Sequence, residues 1–167
     1  MAHHARYHVK FRRRREGKTD YRQRLRLLLS GKPRAVVRHS LKYVTVQLVN
    51  YIPEGDQVVF THTSKNLKKL GWNFGTNNVP AAYLVGYSAG KEAKKRGIER
   101  AVLDIGRFKP VKGCKIFAAL KGLVDAGLEI PHGEHIFPEE DRIYGKHIDP
   151  KMEKEVKRII SEIDKKV

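Results

Sequence analysis

Between Arg34 and about Thr63, apolar and polar side chains alternate with a period of two, and Val, Ile, Tyr, Thr and Phe are enriched. That is the pattern of half-buried β-strands. Pro53, Glu54, Gly55 and Asp56 supply a turn within the segment, which therefore predicts three antiparallel strands. On the second strand Val44, Val46 and Leu48 share one side, and Tyr43, Thr45 and Gln47 share the other. On the first, Ala35 and Val37 alternate with Arg34, Val36 and Arg38. One face of this sheet reads as core. The other gathers Arg34, Arg38, Tyr43, Thr45 and Gln47 into a polar platform suited to RNA; an ordinary half-exposed sheet has the same period.

Helical periodicity flanks the strands. Tyr21, Leu25, Leu28 and Leu29 form a stripe behind a Thr19 cap, Arg22, Arg24 and Arg26 fall largely outside it, and Gly31 and Pro33 end the helix. Residues 64–76 predict a short helix and loop, with Ser64 as cap, Gly71 as stop and Trp72 packed nearby. A long helix follows over residues 79–96, with Pro80 in its first turn and Gly97 beyond its end. Its small residues Ala82, Gly86, Ala89, Gly90 and Ala93 predict close packing against the sheet. Ala101 to Ile105 reads as a short strand and residues 106–113 as a loop. The next helix buries Ile116, Phe117, Leu120, Leu123 and Val124. Past Gly127 the chain is punctuated by Pro131, Gly133, Pro138, Gly145 and Pro150. A last helix then carries Met152, Val156, Ile159, Ile160 and Ile163 on one stripe, with Glu153–Lys157 and Glu162–Lys166 as supporting pairs. That stripe needs a surface, in this domain or on a neighbour.

The expected fold is α/β: three antiparallel strands followed by α-β-α, forming a mixed sheet with packed helices. It divides into a basic arm (1–18), a globular RNA-binding part (19–130) and a C-terminal extension with a terminal helix (131–167).

Charge changes the picture most. The chain of 167 residues has a formal net charge of +17. Residues 1–42 hold 14 of the 35 Lys and Arg but only Glu16 and Asp20 of the 18 acids. The arm lacks hydrophobic periodicity, and a block such as Arg12, Arg13, Arg14 and Arg15 repels itself and stays extended until a polyanion neutralises it. Nucleic acid fits best. A solvated tail or lipid-surface patch competes, but no adjoining apolar anchor supports the lipid version, and no apolar run reaches the roughly 20 residues of a membrane span. His3, His4, Arg6 and His8 precede no apolar run of the kind a secretory signal needs, so a cytoplasmic location is expected. Cys114 is the only cysteine, which excludes an internal disulfide.

Groups that could carry chemistry have the wrong spacing. His132, Glu134, His135 and His147 lack a metal-binding helical motif; Glu139, Glu140 and Asp141 read as a solvated helix start; His39-Ser40 has no nucleophile elbow. The loop from Gly106 to Gly113 lacks both glycine-rich nucleotide fingerprints, although Arg107, Lys109 and Lys112 suit an RNA phosphate. A binding protein is expected, with no catalytic residue, metal, cofactor or small-molecule substrate. Its rivals are an RNA-modifying or nucleotide-using enzyme and a protein scaffold built on the C-terminal helix.

Several strings read together. Phe11, the four arginines Arg12 to Arg15 and Glu16-Gly17-Lys18-Thr19-Asp20-Tyr21 are followed by Leu28-Leu29-Ser30-Gly31-Lys32-Pro33-Arg34. Pro80-Ala81-Ala82-Tyr83-Leu84-Val85-Gly86, Leu103-Asp104-Ile105-Gly106 and the run from Phe117 to Glu134 come after. In this order they resemble the L-eighteen family of large-subunit ribosomal proteins, in its archaeal form, and its eukaryotic counterpart called L-five. The resemblance covers nearly the whole chain. It implies a mixed sheet flanked by helices and a place in the central protuberance of the large subunit, bound to 5S rRNA. It also implies contacts to 23S rRNA and to neighbouring proteins, including the L-five family of bacterial naming. Positions matching the family are Arg12 to Arg15, Lys18, Tyr21, Arg34, Arg38, Ser40, Lys42 and Gln47; Leu41 departs from it, where asparagine is common. The residues' own pattern adds Arg22, Tyr43, Arg107, Lys109 and Lys112 as RNA contacts. The alternative is a general RNA-binding or RNA-chaperone scaffold outside the ribosome.

Overall fold

A computed structural model describes residues 5–166, so His3 and His4 of the arm lie outside the described residues. The alternating segment forms strands β1 (Arg34–His39), β2 (Val44–Ile52) and β3 (Gly55–Thr63), and β4 (Val102–Asp104) completes a sheet of order β3-β2-β1-β4. β1 runs antiparallel to β2 and parallel to β4, which gives the expected mixed sheet. The β2–β3 turn is tighter than its turn-forming residues suggest, because Gly55 and Asp56 already pair with Ile52 and Tyr51.

Ala35, Val37, Val44, Val46 and Leu48 are buried on one face, beneath α3 (Val79–Lys95) and α4 (Lys115–Asp125). Asn78 caps α3 by accepting the Ala81 amide at 2.9 Å, Pro80 sits in its first turn, and Gly97 leaves it with φ 72°. The glycines of α3 serve a different contact from the one expected. A Cβ on Gly86 would collide with the Ala119 carbonyl, one on Gly122 with the Tyr83 carbonyl, and one on Gly90 would sit 2.6 Å from Ala126 Cβ. They bring α3 against α4, while α3 also lies on β2 and β3 as expected. Small residues at helical spacing announce a close neighbour without saying which element it is.

Ser64 also has another role. The short helix is 3-10 (Ser64–Leu70), Thr63 occupies the cap position without a side-chain bond, and the buried Ser64 Oγ accepts the Val44 amide at 3.0 Å. Gly71 does stop this helix with φ 80°, and Trp72 is buried with its Nε1 donating to the Gly75 carbonyl.

Beyond α5 (Glu140–Ile143), α6 (Met152–Lys166) buries Met152, Val156, Ile159 and Ile163 in the same core, with Ile160 partly buried. The terminal stripe therefore packs on its own chain. Asp164 fastens it to α3, pairing with Lys91 at 2.7 Å and accepting the Tyr87 hydroxyl at 3.0 Å. The Glu153–Lys157 pair forms at 2.7 Å. Among the described residues no helix is long and apolar enough to cross a membrane.

Gly86→Ala is expected to lower the free energy of urea unfolding by about 1–3 kcal/mol, because its methyl group must push the α4 backbone away. Ser161→Ala, on the exposed side of α6, should stay within about 0.5 kcal/mol. Equal effects of the two would contradict the helix–helix contact.

Candidate nucleic-acid interface

The second sheet face is not an open platform. α2 (Tyr21–Leu28) lies over it, and Gln23, Arg24 and Leu27 border a cleft floored by Val36, Gln47, Val49 and Val58. Asp20, not Thr19, caps this helix, accepting the amides of Arg22 at 2.9 Å and Gln23 at 3.2 Å. Those two bonds hold its carboxyl below the usual carboxylate range. The expected buried stripe is turned outward: Leu25 is 60% and Leu29 76% exposed, and Tyr21 is exposed too. The half-buried side is Gln23, Arg24, Leu27 and Leu28. A charged cluster lies beneath α2, so Arg24 faces inward to meet it.

At the centre of that cluster Arg34 is 3% exposed. Its Nη1 donates to Asp104 Oδ2 at 2.8 Å, and its Nη2 stands 2.7 Å from Asp56 Oδ2 in an ion pair without good hydrogen-bond alignment. Nε has no hydrogen-bond partner among the described residues. Asp56 also takes both terminal nitrogens of Arg24, at 2.9 and 2.8 Å, in the bidentate geometry that makes such pairs strong. Asp104 takes Arg38 Nη2 at 2.9 Å and the Gly106 amide at 2.8 Å, and its own carbonyl accepts Arg38 Nη1. Gly106 has φ 62°, and a Cβ there would sit 2.9 Å from the Arg38 guanidinium, so this turn needs glycine. Both carboxyls are held below their ordinary value. Arg24 does most for Asp56, against burial, with Arg34 adding to it. For Asp104 burial pulls upward, but Arg38, the Gly106 amide and Arg34 together outweigh it.

Around this cluster the structure gathers many of the residues singled out from sequence. Arg13, Lys18, Arg34, Arg38, Gln47 and Arg107 line the cleft under α2, while Arg14, Tyr21, Arg22 and Arg107 line a groove on its outer side with Lys10 and Leu25. Arg12 to Arg15 form one helical turn, α1, where like-charge repulsion predicts an extended block. Glu16 relieves that repulsion by pairing with Arg12 at 3.2 Å and Lys18 at 2.7 Å. Arg34 is not on display; its charge is neutralised inside the cluster. Ser40, Lys42 and Tyr43 lie at the separate β1–β2 turn. There the Ser40 hydroxyl accepts the Lys42 and Tyr43 amides, and Lys42 and Tyr43 face a shallow groove with Lys68, Thr76 and Asn77. Lys109 and Lys112 are exposed on the 106–113 loop, whose Phe108 stacks on His39 at 4.2 Å.

Arg24, Asp56 and Asp104 escaped the sequence reading as site residues. Their only signal is that acids stand at the start of one strand and the end of another in a strongly basic chain. Among the described residues Arg14, Arg15, Arg22, Arg107, Lys109 and Lys112 make no salt bridge; on the helical side Lys91, Arg96, Lys121, Lys146, Lys157 and Arg158 are paired, while Lys94, Lys95, Lys154 and Lys165 are not. The groove on the outer side of α2 thus offers unneutralised cations to phosphates. No group of three His, Cys, Asp or Glu among the described residues is placed to hold a metal.

Because the Asp104 carboxyl is lowered in the fold, its stabilisation is complete above the ordinary value of 3.8 and is lost as pH falls through the lower folded value. Asp104→Asn should therefore cost about 3–5 kcal/mol at pH 7. It should also flatten the fall in stability that urea titrations of the unaltered protein show on going to pH 3. An unchanged pH dependence would mean that the cluster does not hold Asp104 as described.

A protein-family model described as ribosomal large subunit proteins 60S L5 and 50S L18 matches residues 5–98 and 87–133. The large ribosomal subunit protein uL18 of Korarchaeum cryptofilum is 56% identical over 148 residues, covering 89% of this chain and 76% of that protein. The large ribosomal subunit protein uL18 of Methanothermobacter thermautotrophicus is 55% identical over 148 residues, covering 89% of this chain and 77% of its own. With the mixed sheet and the basic arm in the same chain, these matches show that it belongs to the family of ribosomal large subunit proteins 60S L5 and 50S L18, in its archaeal uL18 form.

Proposed function

We propose that this chain binds 5S rRNA and helps attach it to the central protuberance of the large subunit, through contacts to 23S rRNA and to neighbours that include the L-five family of bacterial naming. A structural part in the large ribosomal subunit, and with it a ribosomal, cytoplasmic location, follows from the family. The observation that carries the RNA-binding reading is the gathering of Lys10, Arg14, Arg22 and Arg107, none of them in a salt bridge among the described residues, along one groove with Tyr21. These groups displace counterions from phosphates, and Tyr21 beside Arg14 and Arg22 adds a ring that an unpaired base can meet. Ser40, Lys42 and Tyr43 extend the contact to the β1–β2 turn, and Gln47 adds to it from the cleft under α2.

The test is binding of the purified protein to 5S rRNA against a tRNA of similar size, titrated across salt. Preference for 5S rRNA is expected to survive near-physiological salt. Deleting residues 1–18 should flatten the dependence of log affinity on log salt by roughly 0.7–0.9 for each phosphate that the arm neutralises. Equal affinity for both RNAs would favour a general RNA-binding or RNA-chaperone scaffold, and an unchanged slope after the deletion would remove the arm from the interface.

A further inference from the structure

Asp20, Asp56 and Asp104 line a cleft whose other charges are positive, and Asp56 reaches from the sheet to the helix that carries the arm. Asp56, second in β3 and 32 positions from Arg24, takes both terminal nitrogens of that α2 residue while pairing with the buried Arg34. α2 has no fully buried side chain, and its leucines at 25 and 29 face solvent. Apolar burial therefore contributes little to docking it, and an eight-residue helix is marginal by itself. The bidentate Arg24–Asp56 pair is the one direct polar link between α2 and the sheet among the described residues. Asp56 is also tied, through Arg34, to Asp104, whose carboxylate holds the Gly106 amide at the head of the 106–113 loop.

Resting on the RNA-binding reading above, we infer that Asp56 is a positioning residue for RNA binding: its carboxylate clips α2 to the sheet, so that the arm and the 106–113 loop present their cations as one surface. The inference reverses what charge alone predicts. An acid in a phosphate-binding face repels the ligand, so its removal should tighten binding. If Asp56 acts by position, its removal weakens binding although the protein becomes more positive.

The experiment has one arm without RNA and one with it. In the free full-length protein, Asp56→Asn is expected to speed backbone amide exchange over residues 21–28 while β1, β2 and α3 keep their protection. With 5S rRNA at fixed salt it should weaken binding about tenfold. Asp56→Glu, which keeps the carboxylate, should recover part of the loss. Should Asp56→Asn fail to fold, Arg24→Gln against Arg26→Gln decides the matter, since both remove one charge from the same helix and only Arg24 meets Asp56. The Arg24 variant should lose more affinity and loosen α2. Unchanged exchange in α2, binding as tight as or tighter than that of the unaltered protein, or equal losses from the two arginine variants would overturn the inference. Absence of any preference for 5S rRNA over tRNA in the unaltered protein would defeat the proposed function, while the exchange arm would still decide the clip.

Discussion

A guanidinium almost wholly withdrawn from water requires anionic partners in fixed places, and Arg34 draws its two from distant parts of the chain. Asp104 lies at the end of β4 and Asp56 at the start of β3, so the opposite edges of the sheet are tied through one side chain on β1. Coulomb attraction in such a cluster is largely offset by the cost of desolvating its charges, so an apolar replacement of similar shape need not be less stable. What the cluster determines is position. The parallel strand, the turn at Gly106 and the orientation of α2 all meet it.

That arrangement divides the cations of a strongly basic protein into two populations. On the α3–α6 side several lysines and arginines are matched by acids a helical turn away or on a packed neighbour, as with Lys157–Glu153 and Lys91–Asp164, while Lys94, Lys95, Lys154 and Lys165 make no salt bridge among the described residues. On the arm side acids are few, and two of them are used to anchor arginines beneath α2. A polyanion approaching the arm meets cations that do not first have to break a pair.

The fold was largely legible because its signals are local. A period of two gave three strands, Pro80 and Gly97 bracketed a helix, and the stripe of α6 is buried at the spacing its sequence shows. Misreadings arose where a local signal had more than one solution. The glycines of α3 promised a close neighbour, and α4 supplied it instead of the sheet. In α2 leucines at 25, 27, 28 and 29 cover most of the helix circumference, so periodicity could not choose the inward side.

Sequence alone determined the sheet and helices, the concentration of charge in the first quarter of the chain, and through them an RNA-type partner, because periodicity and charge are properties of neighbouring residues or simple sums over them. Tertiary structure alone decided which arginines are offered and which are consumed. Arg34 reads as a surface contact in its strand pattern, yet it is neutralised by Asp104, 70 positions away, and Arg24 is turned inward by Asp56, 32 positions away. Pairing at such separations depends on where the folded chain brings each carboxylate, and no local pattern records that.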